Sequence, residues 1–160
     1  PAYHRAFHAG VVVHGFWNFR PMPIRMAHFM NSTQTHFREV AGLPVPRGPF
    51  SNAVSAEGKF LFVAGQGPWS PESQNFHRGS IAEQTELTLR CLQRVVEEAG
   101  ATMQEVVSCR VFLQPLNKTT FAEMNAVYAK FFPDKQPART TVGCTLLGID
   151  VEIDAIVKLP

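Results

Sequence analysis

Residues 80 to 100 admit one local structure. Ser80-Ile81-Ala82-Glu83 is a capping box: the serine hydroxyl takes the amide three residues on, and the glutamate reaches back to the serine amide. Ile81, Thr85, Leu89, Leu92, Val96 and Ala99 then recur at helical spacing. Gly100 follows where a left-handed residue is expected past a helix end. A helix with a single apolar face must cover something apolar. What flanks it reads as strand: Phe60-Leu61-Phe62-Val63 before it and Val106 to Leu113 (Val-Val-Ser-Cys-Arg-Val-Phe-Leu) after it.

The rest of the chain extends this pattern. Gly42-Leu43-Pro44-Val45-Pro46-Arg47-Gly48-Pro49 is too rich in turn formers for regular structure. Beyond it, Ala53 to Ala56 and Lys59 to Ala64 flank Glu57-Gly58 as an expected hairpin. Gly65-Gln66-Gly67-Pro68 ends that strand, and a loop runs from Trp69 to Gly79. Thr120-Phe121-Ala122-Glu123 reads as a second capping box, with Phe121, Met124, Tyr128 and Phe131 on one face and Pro133 as the stop. Arg139 to Leu146 and Asp150 to Leu159 are the last two strands, joined by a turn at Leu147-Gly148-Ile149. The order β-β-α-β-α-β-β gives an α+β domain with two helices against a mostly antiparallel sheet.

The 160 residues are enough for one domain with a core. A net charge of +2 gives no basic stripe for nucleic acid. No apolar run approaches the ~18–20 residues that span a bilayer. Cys91, Cys109 and Cys144 are widely separated and form no C-x-x-C, which argues against a disulfide framework or a zinc site and for a reducing compartment. Residues 1–35 are set apart as a leader or extension outside the core domain, which spans 36–160. Up to Arg38 the chain has no acidic residue but holds Arg5, Arg20, Arg25 and Arg38, the composition of an organelle transit peptide. The segment reads equally as a stretch translated upstream of Met26 or Met30. A cytoplasmic location follows from the cysteines, and a mitochondrial one if the leader is a native transit peptide. His4 and His8 stand at i, i+4 spacing there, too little for a metal site.

Arg139 and Glu152 stand out among the ionisable residues of the C-terminal strands. Arg139 lies in Pro137-Ala138-Arg139-Thr140-Thr141-Val142, and Glu152 in Val151-Glu152-Ile153-Asp154-Ala155-Ile156. A guanidinium in a hydrophobic strand is costly to bury unless an anion meets it, and its planar fork fits a carboxylate with two hydrogen bonds. A glutamate nearby can hold and deprotonate water. The pair points to a small carboxylic acid that reacts with water. Read without that chemistry, Arg139 is a strand-end ion pair and Glu152 with Asp154 a solvated strand face.

Five motifs, Gly48-Pro49-Phe50-Ser51-Asn52-Ala53, Phe62-Val63-Ala64-Gly65-Gln66, Met124-Asn125-Ala126-Val127-Tyr128, Pro137-Ala138-Arg139-Thr140 and Val151-Glu152-Ile153-Asp154-Ala155, occur in the order and spacing of the RidA (YjgF) family, which the chain resembles over residues 36 to 160. The resemblance implies a chorismate-mutase-like fold, and a homotrimer whose sheets form a central barrel with sites in the clefts between subunits. It further implies hydrolysis of 2-imino or enamine acids, such as 2-aminoacrylate, to 2-keto acids and ammonia, without metal or cofactor. On it, Arg139 is the carboxylate clamp and Glu152 orients the attacking water. Gly65 lines the pocket with backbone groups, and Asn125 is the asparagine of the helix. Phe50, Ala64 and Thr141 stand where Tyr, Ser and Cys are frequent, and bear on substrate range rather than on the clamp. Two other readings stand beside this one. One is a ribonuclease or translation inhibitor, a label the family has carried, for which His77 stands alone without a histidine partner. The other is a non-catalytic trimer whose clefts bind small carboxylic acids.

Overall fold

The structure, a computed structural model, describes residues 34–160. The leader expected over 1–35, with its paired histidines, therefore lies almost wholly outside the described residues. The elements are β1 (Gln34–Phe37), β2 (Ala53–Ala56), β3 (Phe60–Gln66), β4 (Trp69–Ser70), β5 (Asn75–Phe76), α1 (Ile81–Glu98), β6 (Val106–Leu113), α2 (Lys118–Phe131), β7 (Ala138–Gly143) and β8 (Val151–Lys158), with a 3-10 turn at Met103–Glu105. The α+β class and the two helices are as expected.

A four-stranded sheet in the order β3-β8-β6-β7 is the frame. β8 is antiparallel to both β3 and β6, and β7 joins β6 in parallel. From Val151 to Val157 the residues of β8 alternate: Val151, Ile153, Ala155 and Val157 are buried, while Glu152, Asp154 and Ile156 are half-buried. The buried set meets Leu89, Leu92 and Val96 of α1 and Met124, Val127 and Tyr128 of α2 in one core. Both helices therefore cover the same face, and the other face carries Glu152, Asp154, Arg110 and Phe112. There Arg110 pairs with Asp154 at 2.6 Å.

α1 starts as its sequence requires. The Ser80 hydroxyl accepts from the Glu83 amide at 3.3 Å, and the Ser80 amide donates to the Glu83 carboxylate at 2.8 Å. Gly100 has φ +78°. Gln84 and Thr88 sit fully buried on its apolar face. Gln84 donates to Asp150 at 2.8 Å and its carbonyl accepts from the Asp150 amide at 2.7 Å, which fixes the entry to β8.

Four expectations are corrected. Ala53–Ala56 does not form a hairpin with β3 but pairs antiparallel with β1, a strand absent from the expected order. The short β4–β5 pair lies within the stretch read as a loop. α2 is capped by Asn117, not Thr120. The Asn117 side chain accepts from the amides of Thr119 and Thr120 at 2.9 and 3.0 Å, and the Thr120 hydroxyl accepts from the Asn117 amide at 3.1 Å. The last two strands are also not neighbours, because β6 runs between them.

Candidate functional site

Arg139 enters from β7, opposite Cys109 of β6, on the face that the helices cover. Its guanidinium is surrounded by rings: Tyr128 at 4.7 Å, Phe50 at 5.0 Å and Phe121 at 5.6 Å. Met124 Sδ lies 4.0 Å from Nη1. No carboxylate among the described residues pairs with it, and its Nε is buried without a hydrogen-bond partner. Burial lowers its pKa, a loss opposed by Tyr128 and Cys109. An arginine begins so far above neutrality that the group remains a cation. Aromatic faces offset part of the desolvation by cation–π attraction but leave its donors unsatisfied.

Two more buried polar atoms lack partners, Asn125 Oδ1 and the Tyr128 hydroxyl, both on α2. Phe121, Asn125 and Tyr128 share one side of α2 by their i, i+4 and i, i+3 spacing. Thr141, two residues past Arg139 on β7, is half-buried on the same strand face, opposite Val111. Arg139, Phe50, Asn125 and Thr141 thus belong to one cluster at the β7 edge of the sheet.

Glu152 belongs elsewhere. Its side chain lies over Gly65: a Cβ placed on Gly65 would fall 2.7 Å from Glu152 Cδ and 3.0 Å from Cγ, with Oε1 nearer still. Only a glycine leaves that space. β3 carries an irregularity between Val63 and Gln66, which takes Ala64 and Gly65 out of the regular ladder with β8. Both are exposed. Two residues further on, Phe76 and Ile149 close over Gly67. Trp69 packs edge-on against Phe76 with ring centroids 5.5 Å apart.

The register fixes the relation between the two clusters. Arg139 is level with Cys109 of β6 and, through it, with Ala155 of β8, whereas Glu152 pairs with Phe112. Two strand spacings across and three residues along put their backbones roughly 14 Å apart. The side chains also point to opposite faces. The structure therefore brings Arg139, Phe50, Asn125 and Thr141 together, brings Glu152, Gly65 and Ala64 together, and keeps the two groups apart within one chain.

The ring wall of Phe121 and Tyr128 and the thioether of Met124 were read from the sequence only as core. Their signal was the Met124–Tyr128 motif itself. Cys109 lies directly behind Arg139, and burial pushes its thiol up to about 12. His36, on β1, is engaged with the Gln136 carbonyl at 2.9 Å, and His77 lies 3.6 Å from Glu83, so the two histidines serve separate places.

The model of the family described as Endoribonuclease L-PSP matches residues 41–159. The chain belongs to this family, the RidA (YjgF) family. A RutC family protein of Pyrococcus abyssi is 42% identical over 111 residues, covering 69% of this chain and 85% of that protein. Protein HMF1 of Saccharomyces cerevisiae is 34% identical, covering 71% of this chain and 86% of its own length. Among solved structures, the Rid-family protein YyfB of Yersinia pestis superposes with a TM-score of 0.71 at 26% identity, over 79% of this chain and 98% of that one. Yeast Mmf1 does so with a TM-score of 0.57 at 30% identity, with the same coverage. The motifs quoted from the sequence thus identified the family, and its members' fold is the one described above.

Proposed function

We propose that this RidA-family chain hydrolyses 2-imino and enamine acids to 2-keto acids and ammonia, at sites completed between copies of itself in a homotrimer. The observation that carries the reading is Arg139: a half-buried cation without an acidic partner, set among rings, with an orphaned Nε. Such a group is stabilised by an anion that brings its own acceptors, and a planar carboxylate fits the fork.

Glu152 supplies the water. With the carboxylate held by Arg139, the imine carbon faces a water that Glu152 orients and deprotonates. Water adds across the C=N bond to give a carbinolamine. The nitrogen takes a proton, leaves as ammonia, and the carbon becomes the ketone. Imines hydrolyse unaided, so positioning plus general-base help of roughly 10²–10⁴-fold suffices.

The separation of Arg139 from Glu152 supports the shared site. One cluster lies by the β7 edge and the other by the β3 edge, so a head-to-tail contact brings unlike edges together and closes as a ring. Phe62, 76% exposed on β3, and the apolar groove it forms with Phe60, Val107 and Ile156 provide apolar surface for such a contact. Relatives in budding and fission yeast bear the description mitochondrial. Three free cysteines agree with a reducing compartment, for which we propose the cytoplasm, or mitochondria if the leader over residues 1–35 is a native transit peptide.

The test couples a serine dehydratase, which releases 2-aminoacrylate, to decay of the imine. Arg139→Ala and Glu152→Gln should each slow the catalysed decay by about 10²-fold. Arg139→Ala as fast as wild type would sink the reading. The family's description carries a second reading, RNA cleavage. Cleavage that survives Arg139→Ala, with steeply salt-dependent RNA affinity, would favour it.

A further inference from the structure

Arg38 was read only as the last arginine of an acid-poor stretch, yet it is bonded to more backbone carbonyls than any other described side chain. Its Nη1 donates to the carbonyls of Phe50 at 2.8 Å and Gly48 at 3.3 Å, and its Nη2 to that of Pro46 at 3.1 Å. Nη1 also bonds the side-chain oxygen of Gln136. The segment it gathers cannot hold itself. Pro44, Pro46 and Pro49 have no amide to donate, and the one internal bond there runs from the Phe50 amide to the Gly48 carbonyl at 2.9 Å.

What this segment carries is the Phe50 ring. A Cβ on Gly48 would lie 3.1 Å from Phe50 Cε1 and 3.5 Å from Arg139 Nη2, so backbone, ring and guanidinium stack in contact. The same hub reaches the approach to Arg139 from the other side. The carbonyl of Gln136, three residues before Arg139, accepts from the Ser51 hydroxyl at 2.6 Å and lies 2.9 Å from the His36 ring nitrogen. The Ser51 amide donates to the Pro137 carbonyl at 2.9 Å. One guanidinium thus ties the loop under Phe50 to the strand that presents Arg139.

We propose that Arg38 is a positioning residue for the carboxylate clamp: it holds residues 46–50 so that Phe50 fixes the Arg139 guanidinium for its ligand. The inference rests on the reading of Arg139 as the carboxylate-binding group. Arg38 itself touches no substrate. Its loss acts on binding of the carboxylate and leaves the water-activating cluster around Glu152, on the opposite sheet face, in place.

The test compares wild type, Arg38→Ala, Arg38→Lys, Phe50→Leu and the Arg38→Lys/Phe50→Leu double variant. It reads imine hydrolysis and, by calorimetry, binding of 2-ketobutyrate. In Arg38→Ala, KM and the 2-ketobutyrate Kd should rise about tenfold while kcat stays within about twofold. Arg38→Lys should behave similarly, because a point charge cannot present a planar fork to several carbonyls. Millimolar guanidinium should partly restore Arg38→Ala. Phe50→Leu should weaken binding, and adding Arg38→Lys to it should cost little more. A merely structural role would instead lower the melting temperature and the active fraction with KM unchanged. If Arg38→Ala does not fold, Arg38→Lys carries the same comparison. Unchanged KM and Kd in the folded Arg38 variants, or full additivity with Phe50→Leu, overturns the inference. Wild-type-like Arg38 variants beside a dead Arg139→Ala sink this inference alone, whereas a fully active Arg139→Ala sinks the reading beneath it.

Discussion

Gly65→Ala isolates the half of the site that we propose activates water, with the smallest chemical change available. Gly65 is exposed and its φ lies outside the left-handed region, so the backbone accepts alanine. The added methyl would nevertheless lie 2.7 Å from Glu152 Cδ, where ordinary contact begins near 3.4 Å. The carboxyl carbon must retreat by at least about 0.7 Å, and the oxygen that faces Gly65 by more. Moving a catalytic group by about 1 Å costs on the order of 10²-fold. We expect kcat to fall about 10²-fold while KM changes less than about twofold, because the methyl displaces Glu152 and not the arginine that binds the carboxylate. Stability should fall by no more than about 1 kcal/mol, since neither group is in the core. The assay is steady-state imine hydrolysis beside a urea melt. Combining Gly65→Ala with Glu152→Gln should add little, because both remove the same contribution. A Gly65→Ala enzyme with wild-type kcat would refute the placement of Glu152 as the base.

Three further outcomes follow from the structure. At about pH 8 a disulfide reagent should titrate exposed Cys144 first and half-buried Cys91 more slowly, with Cys109 reacting only on unfolding. Burial raises the Cys109 thiol from 9.0 to about 12. Between those values the unfolded chain loses this proton and the folded one keeps it, so the stabilisation is complete below pH 9.0 and is lost as pH rises towards about 12. Urea melts should record a slope of about 1.4 kcal/mol per pH unit from this group, and Cys109→Ala should remove it. Asn117→Ala should cost about 1 kcal/mol through loss of the α2 cap. Glu123→Ala should cost under about 0.5 kcal/mol, because Thr120–Glu123 is not the cap in use; the reverse order would contradict the assignment.

Much of the frame was legible because local signals agreed with each other. In α1 the box at Ser80–Glu83, the apolar face and Gly100 all point to one helix. β6 and β8 read correctly because their buried residues are mostly valine and isoleucine and are bounded by turn formers. Elsewhere two local signals competed. Asn117–Thr120 and Thr120–Glu123 both fit a capping box, and the first wins because the Asn117 side chain takes two amides at once. Glu57-Gly58 resembled a hairpin turn, but a type I′ turn needs positive φ at both central residues, and only Gly58, at +131°, has it. β2 is thus left to pair with β1, whose four residues carry too weak an alternation to announce a strand.

The candidate site was legible residue by residue but not as an arrangement. Arg139 and Glu152 stood out because charges in apolar strands need a reason. Their separation could not be read, because it depends on β6 lying between β7 and β8, a long-range pairing that no local pattern encodes. Arg38 escaped notice because carbonyl acceptors leave no mark in sequence.

Subunit complementation reaches the heart of this account. Arg139→Ala and Glu152→Gln subunits, each expected to be slowed about 10²-fold alone, are unfolded together in equal amounts and refolded together. If each site takes its arginine from one copy and its glutamate from the next, about one quarter of the sites in a random mixture are intact. Imine hydrolysis should recover towards that fraction of wild type. Mixed assemblies that remain as slow as either parent would contradict the shared site.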